Sequence, residues 1–330
     1  MDLQAEMSSV LADFDRIRAE FSKRIVDNAS TLDFILKALL SGGHILMEGV
    51  PGLGKTLMVK TAAEILDLKF TRIQFTPDLM PADIIGTNLI MEDEKGHRSF
   101  HFEKGPIFAN VLLTDEINRA SPKTQSALLQ AMEEREISAF GHTYPLDAVF
   151  MTLATQNPIE MAGTYPLPEA QLDRFMFKLQ IGYPGLEALV EIAKRNVSAR
   201  DSAAEAEKTL GHDRILEIRE FVRRIPITDR IYEIAADVVY GTHPTAPRAP
   251  EVSRKYVKYG ASPRGLNALL SSARVSAVMD GRFNLSVDDL RENLEPCLRH
   301  RIILNFEGEV ESVNVGEILR EIFAAVTKGR

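Results

Sequence analysis

The chain has 330 residues, 45% of them hydrophobic and 26% charged, an ordinary globular composition with length for about two domains. Its lone cysteine, Cys297, excludes an internal disulfide framework and a cysteine-built zinc cluster, and fits a reducing compartment. The net charge of −8 argues against a general nucleic-acid coat. No apolar run reaches about 18 residues and no basic start precedes an apolar core, so neither a transmembrane helix nor a signal peptide is expected and the predicted location is cytoplasmic.

In chain order, Leu32, Ile35, Leu36, Leu39 and Leu40 share one helical face, which Gly42-Gly43 closes. Short apolar runs predict strands at 44–48, 69–75, 110–115, 148–155 and 175–181. Two hairpins are expected, one pairing 87–91 with 98–103 across a turn at 92–97, the other pairing 135–139 with 143–148 around Gly141. In the first, Phe100 and Phe102 fall on one face and call for burial against the body of the fold. After Gly182 the segment Tyr183-Pro184-Gly185 breaks the alternation, and helical stripes follow. One carries Ile231, Ile234, Ala235, Val238 and Val239. Another carries Leu266, Leu269, Leu270 and Ala273 behind a Ser262 cap and Pro263. Ser286 caps a further helix with Asp289 three residues on, and Ile318, Leu319, Ile322, Phe323 and Val326 form a last apolar stripe. The expected division is an α/β unit at 1–197 with an N-terminal helix, a polar linker at 198–213 and a smaller helical unit at 214–330.

Between the first strand and the next helix stands Gly49-Val50-Pro51-Gly52-Leu53-Gly54-Lys55-Thr56, a phosphate-binding loop pattern. Glycines let backbone N–H groups approach phosphate oxygens, and the following helix adds the positive end of its dipole. Met58, Ala62, Ile65 and Leu66 give that helix an apolar face. The expected ATP-binding residues are Gly49, Pro51, Gly52, Leu53, Gly54, Lys55, Thr56 and Leu57, with Lys55 on the β/γ-phosphates and the Thr56 hydroxyl on Mg²⁺. A second apolar strand ends in Asp115-Glu116. Asp115 suits Mg²⁺, and Glu116 suits polarising an attacking water.

These strings, with Ala154-Thr155-Gln156-Asn157-Pro158, resemble the AAA+ ATPases. The longer runs Glu48 to Thr56, Asp115-Glu116-Ile117-Asn118-Arg119-Ala120 and Gly163-Thr164-Tyr165-Pro166-Leu167-Pro168-Glu169-Ala170-Gln171-Leu172-Asp173-Arg174-Phe175 are similar to the MoxR branch. One departure is visible in Ile25-Val26-Asp27-Asn28, where the branch carries a glycine at the position of Asp27 and the adenine pocket is concerned. The resemblance implies a P-loop core with a parallel five-stranded sheet in αβα layers, β-hairpin insertions and an all-helical lid. It implies that Asn157 senses the γ-phosphate, that Arg174 is an arginine finger for a neighbouring subunit, and that Arg264 is the lid sensor. It further implies a Mg²⁺-dependent ATPase working as a homo-oligomer, a hexamer, that remodels or matures protein clients. Such clients include proteins with von Willebrand factor A-type domains or with metal centres to be filled. Hairpins of this kind face a ring's pore or a partner.

Other readings stay open. They are a nucleic-acid-dependent motor, a nucleotide-gated scaffold with little turnover, and a chelatase-like subunit. The acidic charge and the absence of a helix-turn-helix or zinc site weigh against the motor. Arg248, Arg254, Lys255 and Lys258, interleaved with Tyr256 and Tyr259, form one basic patch. His97 and His101 are too far apart on a strand to share a metal. Arg119 is a further candidate to reach a phosphate or a neighbour.

Overall fold

A computed structural model of the chain describes residues 3–92, 97–158, 163–197 and 206–328. Helix α1 (Leu3–Arg24) and helix α2 (Ala29–Ser41) lead into strand β1 (Ile45–Glu48), helix α3 (Lys55–Ile65) and strand β2 (Phe70–Gln74). A short α4 (Pro81–Ile85) opens the first hairpin, β3 (Gly86–Glu92) with β4 (Arg98–Lys104). Strand β5 (Val111–Asp115), helix α5 (Pro122–Glu134), the second hairpin of β6 (Glu136–Ala139) and β7 (His142–Pro145), and strand β8 (Met151–Gln156) follow. Helix α6 (Glu169–Leu172), strand β9 (Phe177–Gln180) and helix α7 (Leu186–Val197) complete the core. The five core strands are the five expected, trimmed at their ends. The turn expected at 92–97 lies mostly outside the described residues, as does the first half of the expected linker, 198–205.

The sheet runs β2-β5-β8-β1-β9, and every neighbouring pair is parallel. Helices cover both faces, so its central strands are buried nearly throughout instead of alternating with exposed residues. Ile45, Met47, Val111, Leu113, Met151 and Leu153 pack toward α1, α2 and α3. Leu46, Leu112 and Ala154 point the other way, into a second cluster with Leu128, Leu129 and Met132 of α5.

The rest of the chain is a helical lid: α8 (His212–Arg224), α9 (Asp229–Gly241), α10 (Glu251–Tyr256), α11 (Pro263–Met279), α12 (Val287–Leu298), α13 (Phe306–Val310) and α14 (Val315–Thr327). A short antiparallel pair, β10 (Val257–Tyr259) with β11 (Ile303–Leu304), stitches it. The expected caps are present: Ser262 accepts from the Arg264 N–H, and Ser286 forms a capping box with Asp289. The stripes of α9 and α14 are buried among each other, and their apolar cluster runs without a break into the one beneath α2.

Polar contacts fix the lid to the core, two of them through Lys37 and Arg301. Lys37 of α2, only 2% exposed, reaches Glu292 of α12 at 2.7 Å. Arg301 donates to Asp173 Oδ1 at 2.7 Å and to the carbonyls of Asp173 and Phe175, just ahead of β9. The basic patch is partly neutralised, because Lys255 lies 3.4 Å from Glu307 and 3.9 Å from Glu311.

One expectation changes, and one departure is explained. Phe102 stacks on Tyr144 of the second hairpin at 4.4 Å between ring centroids, but Phe100 remains 76% exposed, so the two rings do not share one burial. Asp27, at the position of the branch's glycine, has φ +58°. A left-handed turn is needed there, which glycine adopts freely and aspartate tolerates better than most residues.

His44, just ahead of β1, lies inside the core. Its Nε2–H donates to the Met132 carbonyl and its Nδ1 accepts from the Thr152 N–H, so the ring is neutral. Burial, then the Arg135 charge, pushes its pKa down to about 4. His300, donating to the Phe175 carbonyl, is also held well below its usual range by burial. Above about pH 6.5 both forms of the chain carry neutral rings, and stability is full. As pH falls toward 4 the unfolded chain takes up protons that the folded one refuses, so stability is lost by up to about 1.4 kcal/mol per pH unit per histidine. Denaturant melts at pH 7, 6 and 5 check this, and His44→Gln, which keeps one donor and one acceptor, is expected to flatten the acid limb.

Candidate functional site

The loop after β1 is shaped by close approach and by handedness. A Cβ on Gly49 would lie 2.8 Å from the Ile181 carbonyl oxygen. Gly54, which caps α3, has φ +74°. Lys55 Nζ rests on the Gly49 carbonyl and on Val50 O at 3.1 Å. Partial burial lowers its pKa, while the carboxylates of Asp115 and Glu116 raise it. The ammonium therefore stands between the loop and the acidic pair.

Asp115 and Glu116 are held by Thr56 and Arg119, which the sequence offers, and by Arg72 and Gln74, which it does not, together with Thr155. Asp115 Oδ2 lies 3.4 Å from Thr56 Oγ1 and accepts from Arg72 Nε at 2.7 Å; Oδ1 accepts from Thr155 Oγ1 at 2.9 Å. The Glu116 N–H donates to the same Thr155 Oγ1 at 2.9 Å. The Glu116 carboxylate meets Gln74 Nε2 and Arg119 Nε, each at 2.9 Å. Its backbone is left-handed, φ +56°, which costs an ordinary side chain on the order of 1 kcal/mol. Strand β2 reads Phe70-Thr71-Arg72-Ile73-Gln74, which marks no site locally; its register, with Arg72 beside Leu113 and Gln74 beside Asp115, brings the two polar residues to the acids.

Asn157, buried, follows β8, and the Gly49 N–H donates to the Gln156 carbonyl at 3.3 Å. The strand order thus gathers Lys55, Thr56, Asp115, Glu116 and Asn157 at one end of the sheet. The loop amides and lysine suit a polyphosphate. The Thr56 hydroxyl and Asp115 carboxylate are hard oxygen donors of the kind Mg²⁺ takes. Among the described residues there is no cluster of three or more His, Cys, Asp or Glu groups that would hold another metal.

Arg174 and Arg264 lie elsewhere. Met176 N donates to the His44 carbonyl at 2.8 Å, so Arg174 sits at the amino end of β9, opposite the loop that follows the carboxyl end of β1. Seven residues separate it from Ile181, which touches Gly49, roughly 20 Å of extended chain. Arg174 Nη2 contacts Glu133 Oε2 at 3.0 Å, and Arg264 contacts the other oxygen of Glu133 and lies 3.9 Å from Asp173 Oδ2. The pair lines a cavity of about 250 Å³ with Met132, Asn267 and Arg301. Neither arginine reaches the loop of its own chain.

A five-stranded parallel core with a phosphate loop, an acid pair at the next strand but one and a helical lid defines an AAA-type P-loop protein. Residues 44–177 match the ATPase family associated with various cellular activities, and residues 250–322 match an AAA lid domain. "Chaperone MoxR1" of Mycobacterium tuberculosis is 38% identical over 94% of this chain and 81% of its own. "Protein MoxR" of Paracoccus denitrificans is 29% identical over 92% of each. A crystal structure from Cytophaga hutchinsonii superposes with a TM-score of 0.90 at 39% identity, covering 97% of this chain and 96% of that one. The chain belongs to the MoxR family of AAA+ ATPases. No described helix is long and apolar enough to cross a membrane.

Thr155 ties both acids through one buried hydroxyl. Thr155→Val leaves the Glu116 N–H without a partner and is expected to lower unfolding free energy by roughly 1–3 kcal/mol. Thr155→Ser is expected to retain most of it; paired urea melts read the difference.

Proposed function

We propose that the chain hydrolyses ATP only as an assembly, with each nucleotide held by one copy and completed by the next. Lys55 and the loop amides bind the phosphates. Thr56 and Asp115 would hold Mg²⁺, which supplies charge neutralisation across the β- and γ-phosphates when bound. Glu116, aimed by Gln74 and Arg119, accepts a hydrogen bond from the attacking water, and Asn157 orients that water against the γ-phosphate. The observation that carries the reading is the separation of the arginines from the loop. Arg174 and Arg264 face outward on a shared carboxylate, Glu133, at the far end of the sheet. A neighbour's γ-phosphate replaces Glu133 as their partner, and a guanidinium fork suits its spread charge. Arg264 therefore acts in trans, alongside Arg174.

A ring, six-membered by family resemblance, satisfies this geometry with every copy equivalent. The exposed Ile90, Phe100 and Phe140 of the two hairpins are the apolar surface offered to a protein client. The name of the mycobacterial relative supports a chaperone role, and clients with von Willebrand factor A-type domains, or with metal centres to be filled, remain the leading class. The partial neutralisation of the lid patch at Lys255 favours protein over nucleic acid.

Arg174→Ala is expected to keep ATP binding and to lose turnover at least about a hundredfold. Mixing it with Lys55→Ala subunits is expected to restore part of the activity, since a wild-type finger then meets a wild-type loop at some interfaces. No recovery at any ratio, with both variants assembled, would rule out action in trans. Affinity capture with Glu116→Gln, which retains ATP, identifies the client.

A further inference from the structure

Behind the outward-facing arginines lies a second, larger cavity of about 840 Å³, whose wall includes Arg135, Arg219, Arg223 and Arg274. It shares Ser41 and Ser271 with the smaller one. Four guanidiniums converge there from three places: the start of the second hairpin, one face of α8, and the middle of α11. Of the lining residues only Glu220 is acidic, and it pairs with Arg223 on the exposed flank of α8.

The inner two arginines have structural work. Arg219 donates to the Leu39 carbonyl from two nitrogens, at 3.0 and 2.6 Å, and also to the Ala148 carbonyl. Arg135 donates to the Gly42 carbonyl. Together they cap the carboxyl end of α2. Carbonyls at a helix end offset about half a charge, and two full charges stand against them. Asp147, which attracts Arg219 from outside the cavity, is itself engaged by His212 at 2.8 Å. Arg219 consequently has its pKa pushed down to about 10, first by burial and then by Arg135 and Arg223.

The outer pair is not explained by capping. Arg274 forms no ion pair among the described residues, and its Nε is shielded from solvent without a hydrogen-bond partner, as is the Oγ of Ser41 beside it. A concave, basic, under-partnered wall in a partly desolvated setting concentrates anions.

We propose that this cavity binds a small multivalent oxyanion of the phosphate class, contacted by Arg223 and Arg274 and drawn in by the charges of Arg135 and Arg219. The phosphate is taken from solution, since the neighbour's nucleotide is assigned to Arg174 and Arg264 at the adjoining cavity. Occupancy ties α8 and α11 of the lid to α2 and the second hairpin, so it stiffens the joint between lid and core.

The test is calorimetric titration of inorganic pyrophosphate, at fixed ionic strength, into the full chain carrying Lys55→Ala so that the phosphate loop contributes little. Binding is expected, and adding Arg223→Gln with Arg274→Gln is expected to weaken it at least tenfold. Adding Arg174→Ala with Arg264→Ala instead is expected to leave it unchanged. Absence of binding, or binding indifferent to Arg223 and Arg274, overturns the proposal and leaves the cluster as a helix cap. Loss with Arg174 and Arg264 alone also overturns it, by assigning the anion to the smaller cavity. The outer arginines are partly exposed and clear of the α2 cap, so the double variant is expected to fold, which its thermal midpoint verifies.

Discussion

Parallel pairing of β1 with both β8 and β9 is the constraint from which the rest follows. Because all three strands point the same way, the turn after β1 and the end of β8 meet at one edge, while the approach to β9 is forced to the other. Lys55 and Asn157 are thereby neighbours of the acid pair, and Arg174 is not. No choice of rotamer closes a gap of this size, so strand direction keeps Arg174 away from the loop of its own chain, the separation on which the proposed action between copies rests.

Around that sheet the two faces do different work. One is sealed by α5 and the hairpins, whose rings pack on each other at Phe102 and Tyr144. The other is continuous with the lid through α2. Helix α2 is held at several points, by Lys37, by the arginine cap at its carboxyl end and by the apolar stripe that α11 buries. His300 bridges this joint to the Phe175 carbonyl while His44 lies within the core, and each neutral ring puts a hydrogen bond where a charge would be costly to desolvate.

Much of this was legible in the sequence. The five strands read plainly because strands buried on both faces are apolar runs bounded by turns, and the phosphate loop read plainly because its glycines serve backbone conformations that other residues resist. The caps at Ser262 and Ser286 were visible as local chemistry. What could not be read were contacts made across the sheet. Gln74, Arg72 and Thr155 act on residues some 40 positions away, and no local pattern encodes that pairing. The same holds for Glu133, which sits on an ordinary helix face until folding brings two arginines to it. Phe100 shows the converse, since apolarity alone suggested burial where the fold leaves the ring outside. Asp27 was visible as a departure from the family, and only its backbone angle explains why a glycine belongs there.

The unbroken apolar cluster from α3 through α2 to α14 has one more consequence. Swinging the lid away from its own core would expose that seam and break the Arg301 and Lys37 anchors together, so a chain of this design behaves as a single stiff lever. On the proposed reading, chemical energy released at the loop would be expressed where one copy abuts the next, as rotation of whole subunits instead of jaws opening within one.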